Sequence, residues 1–569
     1  MRPTSLLVYA APLLPAAGAQ RPYIMNWSTQ SYGPDGPWQA VEIEIGSNRQ
    51  PIALYPGAAY YASTILADSV CTNTTLSATC YAAQAGTYNQ TESRTLISPQ
   101  GSSNASSAWN IFYWNVQGGS RQAVVGDQVT WGEEATIPNV SLTVIYDTYQ
   151  TYPNGRSYPV NVGNLVLGAP RLRDTASGLN MNTLAAWLYT SNHIPSYSYS
   201  MHIGSVSPRI PGSLVLAGYE STRLLGEASS QPVAASTGVL QIVLRDIGLG
   251  VAEGASPFPS FTTSHRGGLF LDDEHENGGM VLPRLVSIDP TKPYMYLPEA
   301  TCNAITAFFP VSFDTGLGLY IWDVQSAEYA RLTASPAYLS FTFNKDGSSA
   351  RGQNLTIRIP LQLLTLTLQE PLVQGENLTY FPCFLSTDTP VLGRAFLQAA
   401  FIAVNWVEGL GNGTWMLGQA PGPALFDSGD GADDENVTPI AVDDRTLRGS
   451  GEESWAASWT GYWTPLPGGT GNGTDTHSSG GLSVGAKAGI GVGAGVAGLI
   501  IAGIAGWALI LRRRKQGIDA ASGKEGHRQL VTELPAGGTH SQLLELASEG
   551  TARPREVEAK DHVRHHELE

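Results

Sequence analysis

"SIDPTKPYMYLPEATC", residues 287–302, reads as a strand that delivers one acid and then turns a corner. Ser287 and Ile288 lead into Asp289, and Pro290-Thr291-Lys292-Pro293 forces a rigid turn before the apolar run Tyr294-Met295-Tyr296-Leu297. An isolated carboxylate entering an apolar stretch is costly unless something pairs with it. The stretch therefore asks for a partner. Immediately beyond, Pro298 and Glu299 suit the start of a helix over "LPEATCNAITAFF".

Working outward, "PVLGRAF" (390–396) and "NLVLGAP" (164–170) are both an apolar pair followed by Gly inside longer apolar context. Stepping back about 104 residues from Leu392-Gly393 reaches Asp289, and about 110 from Leu167-Gly168 reaches "RQPIALYPGAAYY" (49–61). The chain thus reads as two related halves, each with a strand and turn near its start and a Leu-Gly element about a hundred residues later. Between 36 and 420 the pattern is short alternating runs such as "AVEIEI", "GSLVLAGY", "VLQIVLRDIGLG" and "NLTIRIPLQLLTLTLQ", punctuated by Gly, Pro, Asn and Ser. The expected class is all-β.

The ends predict a surface protein. Residues 1–19 have Arg2, an apolar stretch and Ala17-Gly18-Ala19, the features of a secretory signal. Residues 20–35 read as a polar lead-in. From 421 to 487 the composition shifts to Gly, Ser, Thr and acids, which predicts an extended stalk. Ala488–Leu511 is 24 residues without a charge, followed at once by Arg512-Arg513-Arg514-Lys515. That is a membrane-spanning helix with its basic end, and the tail 512–569, in the cytosol. The expected place is the plasma membrane, single-pass, with the N-terminal part outside. Sequons at Asn26, Asn73, Asn89, Asn104, Asn139, Asn354, Asn377, Asn412, Asn436 and Asn472 all precede the helix. The four cysteines lie there too, in an oxidising compartment, and allow three pairings. The tail balances 10 basic against 10 acidic residues, so the outer part carries the whole net charge of −16. That surface excludes nucleic acid as a partner.

Five elements in order resemble the pepsin-like aspartic peptidases (peptidase A1), over roughly residues 36–420. "VEIEIGSNRQPIALY" looks like the strand pair entering the first active-site loop, and "GDQVTWG" (126–132) like the strand after the flap. "PGSLVLAGYESTRLLG" with "VLQIVLRDIGLG" is similar to the opening of the second lobe, "IDPTKPYMYLPEATC" to the second active-site loop, and "VLGRAFLQAAFIAVNW" to the closing Leu-Gly strand. The chain is similar to the membrane-anchored, often degenerate members of fungi. The resemblance implies a bilobal acid-protease fold, with lobes at 36–205 and 206–420 and one C-terminal transmembrane helix. It also implies disulfides Cys71–Cys80 and Cys302–Cys383, and a flap near Tyr113 and Trp114.

Catalysis in that family needs two carboxyls sharing a proton, one from each Asp-Thr/Ser-Gly loop. Aligned this way, Tyr55-Pro56-Gly57 has lost its acid, whereas Asp289-Pro290-Thr291 keeps the acid and loses the Gly. Asp289 is the sole catalytic candidate, Tyr55 stands at the partner position, and Gly57 and Thr291 flank the cleft. The literal Asp314-Thr315-Gly316 reads as a turn, and "FDSGDG" (426–431) falls in the expected stalk. The acidic loop around His275 reads as solvated, so no metal and no cofactor is expected. Gly489/Gly493 and Gly491/Gly495 would let two membrane helices approach, a route to a homodimer. The expected function is a pepsin-like surface glycoprotein that binds peptide, protein or wall material in its cleft without cutting it. The alternatives are an active aspartic endopeptidase with a non-standard site on Asp289, and a purely structural glycoprotein.

Overall fold

Alternation in the sequence becomes alternation across the sheets. In the strand Trp38–Ile45 the side chains of Val41, Ile43 and Ile45 are buried while Glu42 faces out, the pattern of a half-buried strand. The computed structural model describes residues 20–467 except 58–61, 73–76, 78, 99–116, 132–134, 176–179, 262–263, 273–282, 348–352, 408–412, 427–435 and 451–453. It is mostly β, with 43% strand against 14% helix. The longest helices among the described residues, Glu299–Thr306 and Ala327–Ala334, are only eight residues long. The first of these begins after Pro298, as the sequence predicts.

Three large sheets organise the described residues. A ten-stranded sheet gathers strands from the first half, including Gln50–Pro56, Ser63–Leu66, Ala135–Thr151 and Gly163–Leu165. An eight-stranded sheet gathers strands from the second, including Leu240–Val251, Arg284–Ile288, Ala337–Asn344 and Val391–Leu392. A six-stranded sheet takes strands from both halves: Ser198–His202 lies antiparallel to Ala400–Asn405, with Tyr199 opposite Val404. Every residue of those two strands is buried. His202 is held there by a hydrogen bond from its Nε2 to the carbonyl oxygen of Gln398 at 2.9 Å.

Two expected boundaries need correction. The lead-in at 20–35 is built into the sheets: Tyr23–Ile24 pairs with Ser213–Leu216, and Trp27–Tyr32 pairs with Trp38–Ile45. The stalk does not begin at 421. Val437–Pro439 pairs with Gly218–Glu220, Ile440 is fully buried, and Trp455, Trp459 and Trp463 join the main core. Trp459 and Trp463 stack at 5.7 Å, and the Trp463 indole donates to Glu253 Oε1 at 2.8 Å. Composition suggested an extended segment, but three tryptophans spaced four apart supply enough apolar area to fold it down. Among the described residues no helix is long and apolar enough to cross a membrane. The expected signal at 1–19, the rest of the stalk from 468, the span 488–511 and the tail 512–569 lie outside them.

Both disulfides implied by the resemblance are present. Cys71 is bonded to Cys80, and Cys302 in the helix Glu299–Thr306 is bonded to Cys383 of the strand Cys383–Leu385. Of the sequons, Asn26, Asn354, Asn377 and Asn436 are exposed. Asn89 turns its side chain onto Thr91. Asn139 does not present itself: its amide oxygen is buried against Gly126, in left-handed backbone within a strand. Asn73, Asn104, Asn412 and Asn472 lie outside the described residues.

Candidate functional site

Two strand–turn–strand units face each other. In the first, Gln50–Pro56 runs parallel to Gly163–Leu165 with Pro56 opposite Leu165, and Ser63–Leu66 returns antiparallel with Thr64 opposite Asn164. In the second, Arg284–Ile288 runs parallel to Val391–Leu392 with Ile288 opposite Leu392, and Met295–Leu297 returns with Tyr296 opposite Val391. The amide of Gly57 donates to Leu165 O at 2.8 Å, and that of Asp289 to Leu392 O at 3.1 Å. The two registers therefore match Gly57 with Asp289 and Thr64 with Tyr296.

This corrects the expectation that Tyr55 stands at the partner position. The position belongs to Gly57, two residues further on. A shift of two keeps a strand's faces unchanged, so alternation alone could not reveal it. The Leu-Gly element is also used differently in the first half. There Asn164-Leu165 makes the parallel pairing, and Gly168 instead packs its α-carbon against the Trp406 indole. A β-carbon at 57 would lie 3.2 Å from Thr291 Cγ2 and 3.0 Å from Leu165 O. The two turns thus abut through Gly57 and Thr291.

Asp289 finds its partners within its own turn. Its Oδ1 accepts from the Thr291 amide at 2.9 Å and from the Thr291 hydroxyl at 2.6 Å, the Asx arrangement of a short polar turn. Lys292 Nζ lies 3.8 Å from its Oδ2. Among the described residues it makes no hydrogen bond to a second carboxyl.

Tyr55 belongs to a different cluster. Its ring carries the Arg394 guanidinium at 4.0 Å, and the same guanidinium lies 5.0 Å from the Trp38 ring. A desolvated cation over aromatic faces is worth up to about 2 kcal/mol. Arg394 also donates to the carbonyl oxygens of Pro290 and Thr291, at 3.2 and 2.9 Å, so it ties Tyr55 to the Asp289 turn. The Tyr55 hydroxyl and the Asp35 carboxylate converge on Gly33, where a β-carbon would come within 2.7 and 2.9 Å of them. Gly33 has φ +98°, a conformation glycine adopts without strain. Trp38 donates its indole N–H to Asp35 Oδ1 at 2.9 Å. Burial raises the Asp35 carboxyl above its usual range, with Arg394 and the Trp38 N–H pulling it back. Burial likewise pushes the Tyr55 phenol well up, so it stays protonated and cannot share a proton as a carboxyl would.

A cavity of about 130 Å³ lies between the halves, lined by both of these clusters. Tyr55, Thr148, Asn161 and Asn164 come from the first half, and Thr291, Lys292, Tyr294 and Arg394 from the second. Across it Tyr152 and Tyr294 bond hydroxyl to hydroxyl at 3.0 Å. Asp289 is not among the lining residues. Asp314-Thr315-Gly316 is a hairpin turn, its carboxylate accepting from the Gly316 and Leu317 amides. No group of potential metal ligands occurs among the described residues, which do not include the loop around His275. Tyr113, Trp114 and Ser428 to Gly431 also lie outside them.

Asp35, Lys292 and Arg394 were missed in the sequence. Asp35 sits in Gly33-Pro34-Asp35-Gly36 and reads as an ordinary turn. Arg394 did leave a signal: a cation directly after a buried Leu-Gly needs acceptors nearby. No protein-family model matches the chain, and no curated protein matches it.

Proposed function

We propose that the chain is a pepsin-like, bilobal surface glycoprotein whose cleft binds peptide, protein or wall material without hydrolysing it. In this reading residues 488–511 hold it in the plasma membrane with its N-terminal part outside. The supporting observation is the pair of matched turns. Glycine stands where the second acid would be, and Asp289 is taken up by Thr291 and Lys292. Aspartic catalysis requires two carboxyls close enough to share one proton, one activating water and the other polarising the scissile carbonyl. A single carboxylate engaged by a lysine and a threonine supplies neither half of that cycle.

A peptide carrying a statine hydroxyl, compared with its deoxy analogue, tests this. The hydroxyl gains affinity only from a carboxyl pair. The expected result is equal affinity for the two, or no binding by either. A preference of tenfold or more for the hydroxyl form contradicts the reading.

A further inference from the structure

Buried polar atoms without partners are rare in proteins, and each asks for an explanation. Here they cluster. The hydroxyls of Tyr55 and Thr148, the amide oxygens of Asn161 and Asn164, and the Nε of Arg394 all lack a hydrogen-bond partner. All five side chains line the same cavity between the halves. Four are at least nine-tenths buried: Tyr55 is 7% exposed, Thr148 3%, Asn161 8% and Arg394 4%. A folded protein tolerates such a concentration of unmet bonding capacity when a ligand meets it.

We infer that this cavity binds one neutral polyhydroxylated unit, a single sugar residue of a saccharide. The unmet groups include a donor (Arg394 Nε), two acceptors (the asparagine oxygens) and two hydroxyls that act as either. A ligand that satisfies them must offer donors and acceptors side by side, as every sugar hydroxyl does. Charge is balanced around the cavity, with Arg394 beside Asp35 and Lys292 beside Asp289, which favours a neutral occupant. The rings of Tyr152 and Tyr294 supply apolar faces for the carbon skeleton. At about 130 Å³ the space equals about four waters of liquid volume, room for one small unit rather than a length of chain. The five polar atoms are shut off from solvent, so the wall side chains must shift slightly on binding, as such side chains commonly do.

The inference rests on the reading of a cleft that binds without cutting, and the two can fail separately. Full-length protein is titrated with D-glucose, D-mannose, N-acetyl-D-glucosamine and their short oligomers, and with an acetylated alanine tetrapeptide amide. Saturation-transfer NMR and calorimetry read binding, and mass spectrometry of the same samples reads cleavage. Saturable binding of at least one saccharide is expected. Thr148→Val and Asn161→Leu should each weaken it about five- to tenfold. Both variants remove an unpartnered polar atom, so their melting temperature should be unchanged or higher. A merely structural role would lower it. The inference is overturned if the folded protein binds no saccharide, if both variants bind as the wild type does, or if only the peptide binds. Peptide cleavage that depends on Asp289 would instead overturn the non-hydrolytic reading and leave the saccharide result standing on its own.

Discussion

At position 57 the missing side chain does two things. It removes any second carboxyl from the facing turns, and it lets Thr291 and the Leu165 carbonyl close in on the backbone. Arg394 then fills the role of a tie, reaching the Asp289 turn by hydrogen bonds and Tyr55 through its ring. Tyr55→Phe should therefore change stability by less than about 0.5 kcal/mol, because the hydroxyl it loses has no partner. Arg394→Met should cost about 2–4 kcal/mol, since charge-assisted bonds to two buried carbonyls are lost. Chemical denaturation of both variants checks the contrast, and equal effects would contradict it. The sequence showed that Asp289 needed a partner. It did not show that the partners were two and three residues away, because a search for a distant acid passes over an Asx turn.

Buried strands and straps carry the next set of consequences. His202, in the strand Ser198–His202, is held neutral: burial first, and then the positive charge of Arg223, push it down to about 3 from the ordinary 6.5. The unfolded chain takes up this proton near pH 6.5 and the folded chain does not. The stability linked to His202 is therefore complete above about pH 6.5 and drains as pH falls toward 3, by up to roughly 4 kcal/mol. His202→Gln should flatten the fall in melting temperature across that window, and an unchanged slope would contradict the assignment. Arg223 itself is buried against Glu220 at 2.7 Å and lies 4.0 Å over the Phe426 ring. Glu220→Gln leaves that cation without its counter-charge and should cost about 3–5 kcal/mol, measured by chemical denaturation. Strand existence was legible here because alternation and β-branched runs survive in any context. The fold of residues 437–467 was not, since Gly- and Ser-rich composition conceals three tryptophans that only tertiary contact makes decisive.

Across the whole described molecule, two units of like topology carry the site, and their spacing could be read before any coordinates because each ends in a Leu-Gly element. Register was the part that stayed hidden, since a slide of two along a strand leaves every face unchanged. The extent of the folded part follows from the tryptophans. A chain ending at residue 420 should be poorly soluble and unfold at a lower temperature than one ending at 467, because it exposes the surfaces that Ile440, Trp455, Trp459 and Trp463 cover. Trp459→Ala in the full chain should cost about 3–5 kcal/mol for the same reason. Equal melting of the two truncated chains would restore the stalk boundary at 421. The central claim, that the facing turns lack a catalytic pair, is tested most directly by hydrolysis. Full-length protein and its Asp289→Asn variant are incubated with a diverse peptide library from acid to neutral pH, and mass spectrometry scores every new terminus. The account predicts no cleavage by either protein. Cleavage by the wild type that disappears in Asp289→Asn would contradict it.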